Sequence, residues 1–370
     1  MVRIGLLCPY SLSVPGGVQN QVMSLARTLR ERGHEARVLG PCDGPPPAAF
    51  VSPLGASVRQ PTNGSVAPIA PDPAAQLRTM RALWDEDFDV LHLHEPLVPG
   101  PTLTALMLGP APVVGTFHAA GAQPAYVYLA PLVRWASRGF SAKVVVSPDA
   151  RQLIEPYVDG PFVELFNGIE TKPLGSAEPW PTEGPTVFFL GRHEPRKGLD
   201  VLLESVPRLP PDARVWVAGE GDATAELRSR HRDPRIEWLG RVGDEERDRR
   251  LAGADVFCAP SLGGESFGII LLEAMAAGTP VVASEIPGYA NVAGARAAEG
   301  GGPAEPAAVL VPPGDAPALG RALASVLGDP ALAADLRRRG QQRATAYDMG
   351  ALCDRYEEIY AGVVAAAGPH

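Results

Sequence analysis

Two glutamates in the stretch Gly263–Gly278 are well suited to bind a polar ligand. Glu265 belongs to a glycine-rich loop, and Ser266 is predicted to cap a helix that starts at Phe267. This helix is apolar almost all round, so we expect it to be buried, with Glu273 inside it. A buried carboxylate is costly unless it is paired or hydrogen-bonded, and sugar hydroxyls are suitable donors. The alternative is that Glu273 reaches solvent at the helix edge or bonds a neighbouring loop.

Three cations crowd the loop Gly191–Gly198, which directly follows an apolar run that predicts a strand. They are Arg192, Arg196 and Lys197. Arginine offers a planar fork of donors and lysine a point charge, and both suit a diphosphate. The alternative is a solvated charged turn. The place of the loop at the carboxyl end of a strand favours anion binding, because ligands of such sheets bind there.

A glycine pair, Gly16 and Gly17, joins the first predicted strand to the first predicted helix. Glycine lets a backbone approach a ligand closely, and the helix that follows presents N–H groups and a positive dipole end to an anion. The spacing is not G-x-G-x-x-G, so a dinucleotide fingerprint is absent, and a tight turn is the alternative. His118 follows another predicted strand and is expected at the same edge, although a single histidine is more often structural.

A metal-like cluster of His92, His94 and Glu95 lies at the end of a further predicted strand. The two histidines share one strand face with core residues around them, so we predict no metal site. The four cysteines lie far apart with no CxxC pair, which predicts neither a disulfide framework nor a zinc site. The sequence contains no G-x-S-x-G motif and no Walker loop.

Short apolar runs alternate with amphipathic helical stretches, and this rhythm predicts parallel sheets covered by helices. The first series of predicted strands is Val2–Cys8, Glu35–Leu39, Val90–His94, Val113–Thr116, Lys143–Ser147 and Val163–Leu165, with helices at Val18–Arg32 and Ala75–Trp84. The rhythm then restarts with predicted strands at Thr186–Leu190, Arg214–Ala218, Ile236–Leu239, Val256–Ala259, Pro280–Ser284 and Val309–Val311. The segment Pro41–Pro73 has little periodicity and is expected to be a long loop with one or two short strands.

The chain of 370 residues is therefore predicted to be an α/β protein of two Rossmann-like, doubly wound domains facing a central cleft. We place the N-terminal domain at residues 1–168, completed by a C-terminal helix within 349–370, and the C-terminal domain at 169–348. Ligands of such domains bind at the carboxyl ends of the strands, so the cleft is the expected site.

The composition excludes several classes of function. A net charge of −9 argues against general affinity for nucleic acid. No apolar run approaches the ~18 residues that a membrane-spanning helix needs, and the N-terminus enters a strand without a signal-peptide pattern. We therefore expect a cytoplasmic protein, as a monomer or weak dimer.

Taken together, these motifs resemble the retaining GT-B glycosyltransferases of family 4, and most closely the phosphatidylinositol α-mannosyltransferases of actinobacteria. The spacing of Glu265 and Glu273 matches the E-x7-E signature of that superfamily. The other matching stretches are Cys8–Ser11, Val14–Gln19, Asn63–Ala67, Phe88–His92 and Thr116–His118. The resemblance covers nearly the whole chain.

The resemblance implies a role for each matching residue. Arg192 and Lys197 would hold the diphosphate of a nucleotide sugar, which the family suggests is GDP-mannose, and no metal ion would be required. The other implied donor contacts are Gly16, Gly17, Phe267, Gly268 and Ile269 near the diphosphate and sugar, Glu265 on sugar hydroxyls, Glu273 on the ribose and His118 on the sugar. The implied acceptor contacts are Tyr10, Gln19 and Asn63. The acceptor would be phosphatidylinositol or another cyclitol, with peripheral contact to the anionic inner face of the plasma membrane.

Some positions depart from the pattern of the lipid-mannosylating relatives. Only Arg78 and Arg81 remain of the basic cluster that those relatives carry on the helix matching Ala75–Trp84. Pro68 stands where they have an arginine for the inositol phosphate, and Gln123 where they have a lysine. These losses weaken the phosphoinositide assignment but leave the donor side intact.

Other functions remain open from the sequence. One is a glycosyltransferase that uses a UDP- or GDP-sugar and a soluble acceptor, such as an aminocyclitol, an inositol phosphate or an antibiotic precursor. Another is a nucleotide-sugar epimerase of the same architecture. A non-catalytic binding protein would leave the combination of cations, glycines and two glutamates without a reason.

Overall fold

The computed structural model describes residues 1–14, 16–62, 65–119, 124–265, 267–294 and 305–368. The chain divides into two compact units. Unit 1 comprises Met1–Gly168 and Met349–His370, and unit 2 comprises Ile169–Asp348. Each unit is built around one parallel sheet, which the alternation of apolar strands and amphipathic helices dictates.

Unit 1 contains nine strands, counted over its described residues, of which seven form one parallel sheet in the order β3-β2-β1-β6-β7-β8-β9. The strands are β1 (Arg3–Leu7), β2 (Glu35–Gly40), β3 (Val51–Pro53), β4 (Val58–Thr62), β5 (Ser65–Ile69), β6 (Val90–His94), β7 (Val113–Phe117), β8 (Ala142–Val145) and β9 (Val163–Glu164). The antiparallel pair β4–β5 lies in the segment where the sequence predicts a long loop with short strands.

The helices of unit 1 cover both faces of its sheet. They are α1 (Gly17–Glu31), α2 (Pro73–Asp85), α3 (Pro101–Leu108), α4 (Pro124–Tyr128), α5 (Ala130–Ala136), α6 (Pro148–Ile154) and, from the end of the chain, α15 (Met349–Ala367). One core joins the sheet to α1 and α15, and a second joins the other face to α2, α3, α5 and α6. The side chains of α1 that the periodicity assigns to one face, Val22, Leu25, Ala26 and Leu29, are all buried.

Unit 2 repeats this plan with a parallel sheet in the order β12-β11-β10-β13-β14-β15. Its strands are β10 (Thr186–Leu190), β11 (Arg214–Ala218), β12 (Ile236–Gly240), β13 (Val256–Ala259), β14 (Val281–Ser284) and β15 (Val309–Val311). Its helices are α7 (Thr171–Gly175), α8 (Leu199–Ser205), α9 (Thr224–Arg230), α10 (Asp244–Gly253), α11 (Ile269–Ala276), α12 (Pro287–Ala293), α13 (Ala316–Gly328) and α14 (Pro330–Thr345).

The two parallel Rossmann-like sheets confirm the predicted α/β fold class. The predicted start of the buried helix after the glycine loop is wrong by two residues, because α11 begins at Ile269 and its N-cap is Gly268. Gly268 has a φ of 99°, a left-handed conformation that ends the loop and that residues other than glycine rarely adopt. Ser266, the predicted cap, lies outside the described residues.

Candidate active site

Each sheet has one point at which the strand order reverses, and the candidate residues lie at these two points. In unit 1 the order reverses between β1 and β6, and in unit 2 between β10 and β13. The loops that leave the carboxyl ends of such neighbouring strands diverge to opposite faces and open a crevice. The sequence therefore folds so that the cation loop after β10 and the glycine-rich loop after β13 are neighbours.

The two loops of unit 2 are joined by a backbone hydrogen bond, in which Leu262 N donates to the Arg196 carbonyl at 2.8 Å. This contact brings two cations to one carboxylate oxygen. Lys197 Nζ lies 2.6 Å and Arg196 Nη1 2.9 Å from Glu265 Oε1. All three side chains are between 15% and 21% exposed, so the cluster is partly shielded but open to a ligand.

Arg192 occupies the outer part of the same loop. Its Nη1 lies 2.8 Å from Glu194 Oε1, and Arg196 Nε approaches the other oxygen of Glu194 at 3.1 Å. Two carboxylates and three cations thus interlock at the end of β10. An incoming diphosphate would compete with Glu194 and Glu265 for these cations, which suits a site that binds and releases an anion.

The N-terminus of α11 adds backbone donors to this cluster. Gly268 leads directly into the eight-residue helix, whose N-terminus carries the positive end of the helix dipole. A Cβ at Gly268 would meet the ring of Tyr289 at 2.7 Å, so glycine is required there for space as well as for φ. Phe267 is buried and Ile269 partly buried beside it.

Glu273 lies on α11 between buried neighbours, as the sequence predicts, and is itself partly buried. Burial raises the pKa of its carboxyl from 4.5 to about 7, and the charge of Arg247 on α10 opposes this rise. The carboxylate is therefore poised between its two protonation states near neutral pH. Ligand hydroxyls that donate hydrogen bonds to its ionised form would stabilise that form and lower the pKa.

The acceptor candidates of unit 1 are arranged around the loop after β1. Gln19 on α1 is buried, and its Nε2 donates to the carbonyl of Val14 at 3.2 Å, so this side chain holds the loop closed. A Cβ at Gly16 would overlap the Gln19 amide. Tyr10 forms a bridge to Ile69, which joins β5 to this edge of the sheet. Gly17 is the first residue of α1.

Glu95 is a residue that the sequence analysis set aside and that the structure places at this switch point. It follows β6, is 3% exposed, and has a φ of 48°, the one positive φ among the described residues other than glycine. Its Oε1 accepts the backbone N–H groups of both His118 and Ala119. Burial raises the pKa of Glu95 to about 7, and these two hydrogen bonds oppose the rise. A strained, buried carboxylate thus fixes the backbone after β7.

His118 is fixed through its ring as well. His118 Nδ1 lies 3.1 Å from Asn167 Oδ1, and its Nε2 lies 2.9 Å from Nδ1 of His94. If Asn167 Oδ1 accepts, the ring donates through Nδ1 and its Nε2 accepts from His94. Burial lowers the pKa of His118 to about 4, so the ring is neutral at neutral pH. Both ring nitrogens are therefore already engaged by the protein.

The polar chain continues to the last helix of unit 1. His92 Nδ1 lies 2.7 Å from the Tyr360 hydroxyl and its Nε2 2.7 Å from Oγ1 of Thr116. Thr116 Oγ1 in turn lies 3.0 Å from the Tyr356 hydroxyl. These bonds satisfy both ring nitrogens of the buried His92 in β6, and they tie α15 to β6 and β7.

Sequence reasoning missed Glu95, His94 and Asn167 as site residues, and it counted Arg196 among the cations of the loop without giving it a role of its own. Arg196 belongs to the predicted cation loop, but spacing alone does not show which cation faces Glu265. For His94 and Glu95 a signal was present in the sequence. The strands β6 and β7 pair with His94 opposite Thr116, and polar residues stand at or directly after the end of each strand, His94 and Glu95 at β6 and His118 at β7. Asn63, a predicted acceptor contact, lies outside the described residues.

Neither a metal site nor a membrane-spanning helix is found among the residues that the structure describes. Its described residues hold no group of three or more histidine, cysteine, aspartate or glutamate side chains able to hold a metal ion. Across those same residues, no helix combines the length and apolar character needed to cross a membrane.

Comparison with known proteins identifies the family. Residues 15–172 match the family described as Glycosyltransferase Family 4, and residues 184–329 match Glycosyl transferases group 1. The phosphatidyl-myo-inositol mannosyltransferase of Mycobacterium leprae is 39% identical, covering 97% of this chain and 96% of that protein. The protein of the same name from Mycolicibacterium smegmatis is 38% identical over 97% of this chain and 93% of its own length.

A solved structure supports the same fold. Sucrose-phosphate synthase from Thermosynechococcus elongatus superposes with a TM-score of 0.76 at 19% sequence identity, covering 99% of this chain and all of that one. The chain therefore belongs to the GT-B glycosyltransferases of family 4, the group that includes the phosphatidyl-myo-inositol mannosyltransferases.

Proposed function

We propose that this enzyme transfers mannose from GDP-mannose to the inositol ring of phosphatidylinositol, with retention of configuration and without a metal ion. The observation that carries this proposal is the identity of 38–39% over 97% of the chain to relatives named phosphatidyl-myo-inositol mannosyltransferase. The arrangement of charges at the end of β10 supports the donor half of the reaction.

The donor half rests on the cations of unit 2. As the bond between the sugar and the diphosphate breaks, negative charge grows on the leaving phosphate oxygen. Arg192 and Lys197 stabilise this charge, and the N-terminus of α11 adds backbone donors through Phe267, Gly268 and Ile269. Two cations and a helix dipole thus supply the neutralisation that Mg²⁺ supplies in many phosphoryl-transfer sites.

The carboxylates orient the two sugars of the donor. Glu265 accepts hydrogen bonds from hydroxyls of the mannose, and its salt bridges to Arg196 and Lys197 couple sugar binding to the diphosphate contacts. Glu273 accepts from the ribose hydroxyls, which favour its ionised form. Gly16 and Gly17 leave room for the sugar and diphosphate beside the first turn of α1.

The acceptor half rests on unit 1. Tyr10 and Gln19 line the acceptor site. His118 orients the sugar, and Glu95, His94 and Asn167 hold its ring and backbone in place. The acceptor hydroxyl attacks the anomeric carbon from the face that the diphosphate leaves. One C–O bond forms as the other breaks, and the hydroxyl proton passes to the departing phosphate oxygen.

A soluble cyclitol acceptor is the second candidate. It is favoured by Pro68, which replaces an arginine of the lipid-mannosylating relatives, and by the partnered state of the two remaining arginines of α2. Arg78 Nε donates to the carbonyl of Leu54 at 2.7 Å, and Arg81 Nε lies 3.2 Å from Asp85.

The decisive test has two stages. A thermal-shift screen of GDP, UDP, ADP and their sugars should show the largest stabilisation with GDP-mannose, because a ligand that binds the folded state raises its melting temperature. Labelled GDP-mannose is then incubated with phosphatidylinositol vesicles, with a soluble cyclitol, or alone, each with and without chelator.

Transfer of label to the lipid, unaffected by chelator, is the expected result. Label on the cyclitol alone would favour the second candidate, and an epimerised nucleotide sugar in the donor-only reaction would overturn transfer. Full inhibition by chelator would overturn the metal-free mechanism.

A further inference from the structure

Arg59 is a lone charge in a long neutral segment of the sequence. From residue 44 to residue 71, between Asp43 and Asp72, the chain contains no other lysine, arginine, aspartate or glutamate. Arg59 belongs to β4, and its side chain is exposed. A cation without acidic neighbours in its own segment attracts an anion more strongly than one whose charge is compensated nearby.

The guanidinium of Arg59 has no partner among the residues that the structure describes, where it makes no ion pair, hydrogen bond or ring contact. Other arginines of unit 1 are held by carboxylates. Arg3 Nε lies 2.9 Å from Glu35, and Arg37 Nε lies 3.2 Å from Glu86. Arg59 thus presents a planar fork of donors that a ligand can engage without breaking a salt bridge.

The two acidic residues that flank the neutral segment are engaged elsewhere. Asp43 accepts from Ser57 through both of its oxygens, from the backbone N–H at 2.6 Å and from the hydroxyl at 2.7 Å. Asp72 caps α2 by accepting from the backbone N–H of Ala75 at 3.0 Å. The first carboxylate therefore fixes the start of β4 and the second fixes the start of α2, and neither pairs with Arg59.

Arg59 stands directly opposite Pro68 in the antiparallel pair β4–β5. Proline has no N–H to donate, and the carbonyl of Pro68 accepts from the backbone N–H of Ser11 at 2.8 Å. The two opposite residues therefore form a non-hydrogen-bonded pair, in which the Cα atoms are about 4.5 Å apart and the side chains lie close together on one face. A side chain at position 59 thus occupies nearly the same place as one at position 68.

The strand β5 connects Arg59 to the candidate acceptor residues. Tyr10 forms an antiparallel bridge to Ile69, the neighbour of Pro68. Ser11, which donates to Pro68, has its own carbonyl 3.4 Å from Nε2 of Gln19. The strand opposite Arg59 is therefore bonded to the loop after β1, so Arg59 lies at the side of the candidate acceptor site.

We propose that Arg59 binds a phosphate of the acceptor, so that a phosphorylated cyclitol is preferred over an unphosphorylated one. The resemblance implies an arginine for this phosphate at position 68, where this chain has proline. Here the charge stands on the opposite strand but on the same face of the pair. The phosphate belongs to a phosphatidylinositol headgroup or to a free inositol phosphate, since a guanidinium fork recognises both. This inference rests on the proposed acceptor site and names the group by which that site recognises its substrate.

The test compares three acceptors that differ in their phosphate: phosphatidylinositol in neutral detergent, inositol 1-phosphate and myo-inositol, each with labelled GDP-mannose. Arg59→Gln is expected to raise KM for the phosphorylated acceptors at least about tenfold, because a charge-assisted hydrogen bond is lost. Its kcat at saturating acceptor, its KM for GDP-mannose and its kinetics with myo-inositol should match the wild type. Added salt should raise KM for inositol 1-phosphate more in the wild type than in Arg59→Gln, because salt screens an exposed charge.

An exchange variant tests whether the face of the strand pair decides. Arg59→Pro/Pro68→Arg returns the charge to position 68 and should recover most of the wild-type KM, whereas Arg59→Pro alone should not. Proline is tolerated at position 59 because a non-hydrogen-bonded pair does not use the N–H of that residue. Arg355→Gln, which removes an exposed arginine of α15 that pairs with Glu358 at 3.2 Å, is the matched control and should keep wild-type kinetics.

Two further measurements accompany the kinetics. Circular dichroism and the melting temperature check the folding of each variant. Isothermal titration calorimetry of inositol 1-phosphate and of myo-inositol, with GDP bound, measures recognition of the phosphate without turnover. Arg59→Gln should lose the preference for the phosphorylated ligand that the wild type shows.

Three outcomes would overturn the proposal. They are an Arg59→Gln enzyme with wild-type KM for both phosphorylated acceptors, an equal loss with myo-inositol, and a wild type that prefers neither phosphorylated acceptor over myo-inositol. A loss confined to phosphatidylinositol or to inositol 1-phosphate would support it and identify the source of the phosphate. If the wild type transfers mannose to none of the acceptors but binds inositol 1-phosphate through Arg59, only the proposed reaction is rejected.

Discussion

The switch points of the two units lie on the same type of sheet but differ in charge: the side chains are ionic in unit 2 and mainly neutral in unit 1. In unit 2, Arg196 and Lys197 meet on one oxygen of Glu265 in a partly exposed cluster. In unit 1, the corresponding strand ends carry the buried, neutral rings of His94 and His118. A departing diphosphate gains charge and needs cations within reach, whereas an acceptor hydroxyl needs mainly a fixed position. In the proposed reaction, this difference assigns transition-state stabilisation to unit 2 and positioning to unit 1.

The largest expected effect comes from removing a cation of unit 2. Lys197→Ala should lower kcat by about 10³-fold, because a charge that stabilises the leaving group in the transition state is lost. Lys172→Ala, an exposed lysine of α7, is the matched control and should keep wild-type kinetics. Steady-state kinetics with circular dichroism measure both. A Lys197→Ala enzyme with near-normal kcat would erase the distinction between the units.

Glu265→Gln should have the next largest effect and a distinctive signature. We expect kcat/KM to fall about 100-fold, because an ionised acceptor for sugar hydroxyls is replaced by a neutral one. Affinity for GDP alone should be retained or increased, since Arg196 and Lys197 are released from their carboxylate partner. Thermal shifts with GDP and with GDP-mannose separate the two effects.

Glu194→Gln serves as the control for Glu265→Gln. Glu194 also pairs with Arg196, but it has no proposed contact with the sugar. An equal loss in both variants would mean that Glu265 acts only by organising the cation loop.

Unit 1 should respond through geometry and pH. Glu95→Gln is expected to lower kcat about tenfold, because a neutral amide oxygen accepts the two N–H groups after β7 more weakly than a carboxylate. The pKa of Glu95 is raised to about 7, so its ionised form is lost as the pH falls through 7. Wild-type kcat should therefore decline from pH 8 to pH 6, and the decline should be absent in Glu95→Gln.

Two other groups at the candidate sites, His118 and Glu273, also have shifted pKa values, and their contributions to the pH profile differ from that of Glu95. His118 does not titrate in that window, because its pKa is about 4. Glu273 does titrate there, but its proposed contact is with the donor, so measuring kcat at saturating donor isolates Glu95. A pH dependence retained unchanged in Glu95→Gln would remove Glu95 from the positioning of His118.

Most of the fold could be predicted from the sequence, because buried parallel strands read as short apolar runs. Val90–His94 is predicted with the observed bounds, and Val2–Cys8 differs from β1 by one residue at each end. The start of α11 was missed because the left-handed φ of Gly268 stops the helix there, and hydrophobicity carries no information about φ.

The candidate sites divide in the same way. The charged residues of unit 2 lie in two loops whose composition stands out, so sequence alone finds them. The neutral network of unit 1 depends on partners 23 to 49 residues apart, such as His118 with Glu95 and Asn167. These groups come together only through the pairing of β6 with β7 and at the end of β9. No local sequence pattern predicts such contacts between distant residues.

The last prediction concerns stability and not turnover, and it tests a carboxylate of unit 2 whose pKa burial raises as it does that of Glu95 in unit 1. The pKa of Glu273 is raised above its ordinary value of 4.5 to about 7, chiefly by burial. Between these values the folded chain binds more protons than the unfolded chain, so the contribution of Glu273 to stability falls as the pH rises from 4.5 to 7. Glu273→Gln removes this cost and should stabilise the protein by about 2 kcal/mol at pH 8, with the gain shrinking towards zero near pH 5.

Melting temperatures at the two pH values measure the gain, and Glu237→Gln, an exposed glutamate of β12, should show no such pH dependence. The same substitution should weaken GDP binding, because ribose hydroxyls lose an ionised acceptor. Gain of stability with loss of donor affinity is the signature of a group held in an unfavourable state for binding. If Glu273→Gln is no more stable at pH 8 than at pH 5, relative to the wild type, the Glu273 carboxylate is in contact with solvent. The comparison would then contrast a buried carboxylate in unit 1, Glu95, with a solvated one in unit 2.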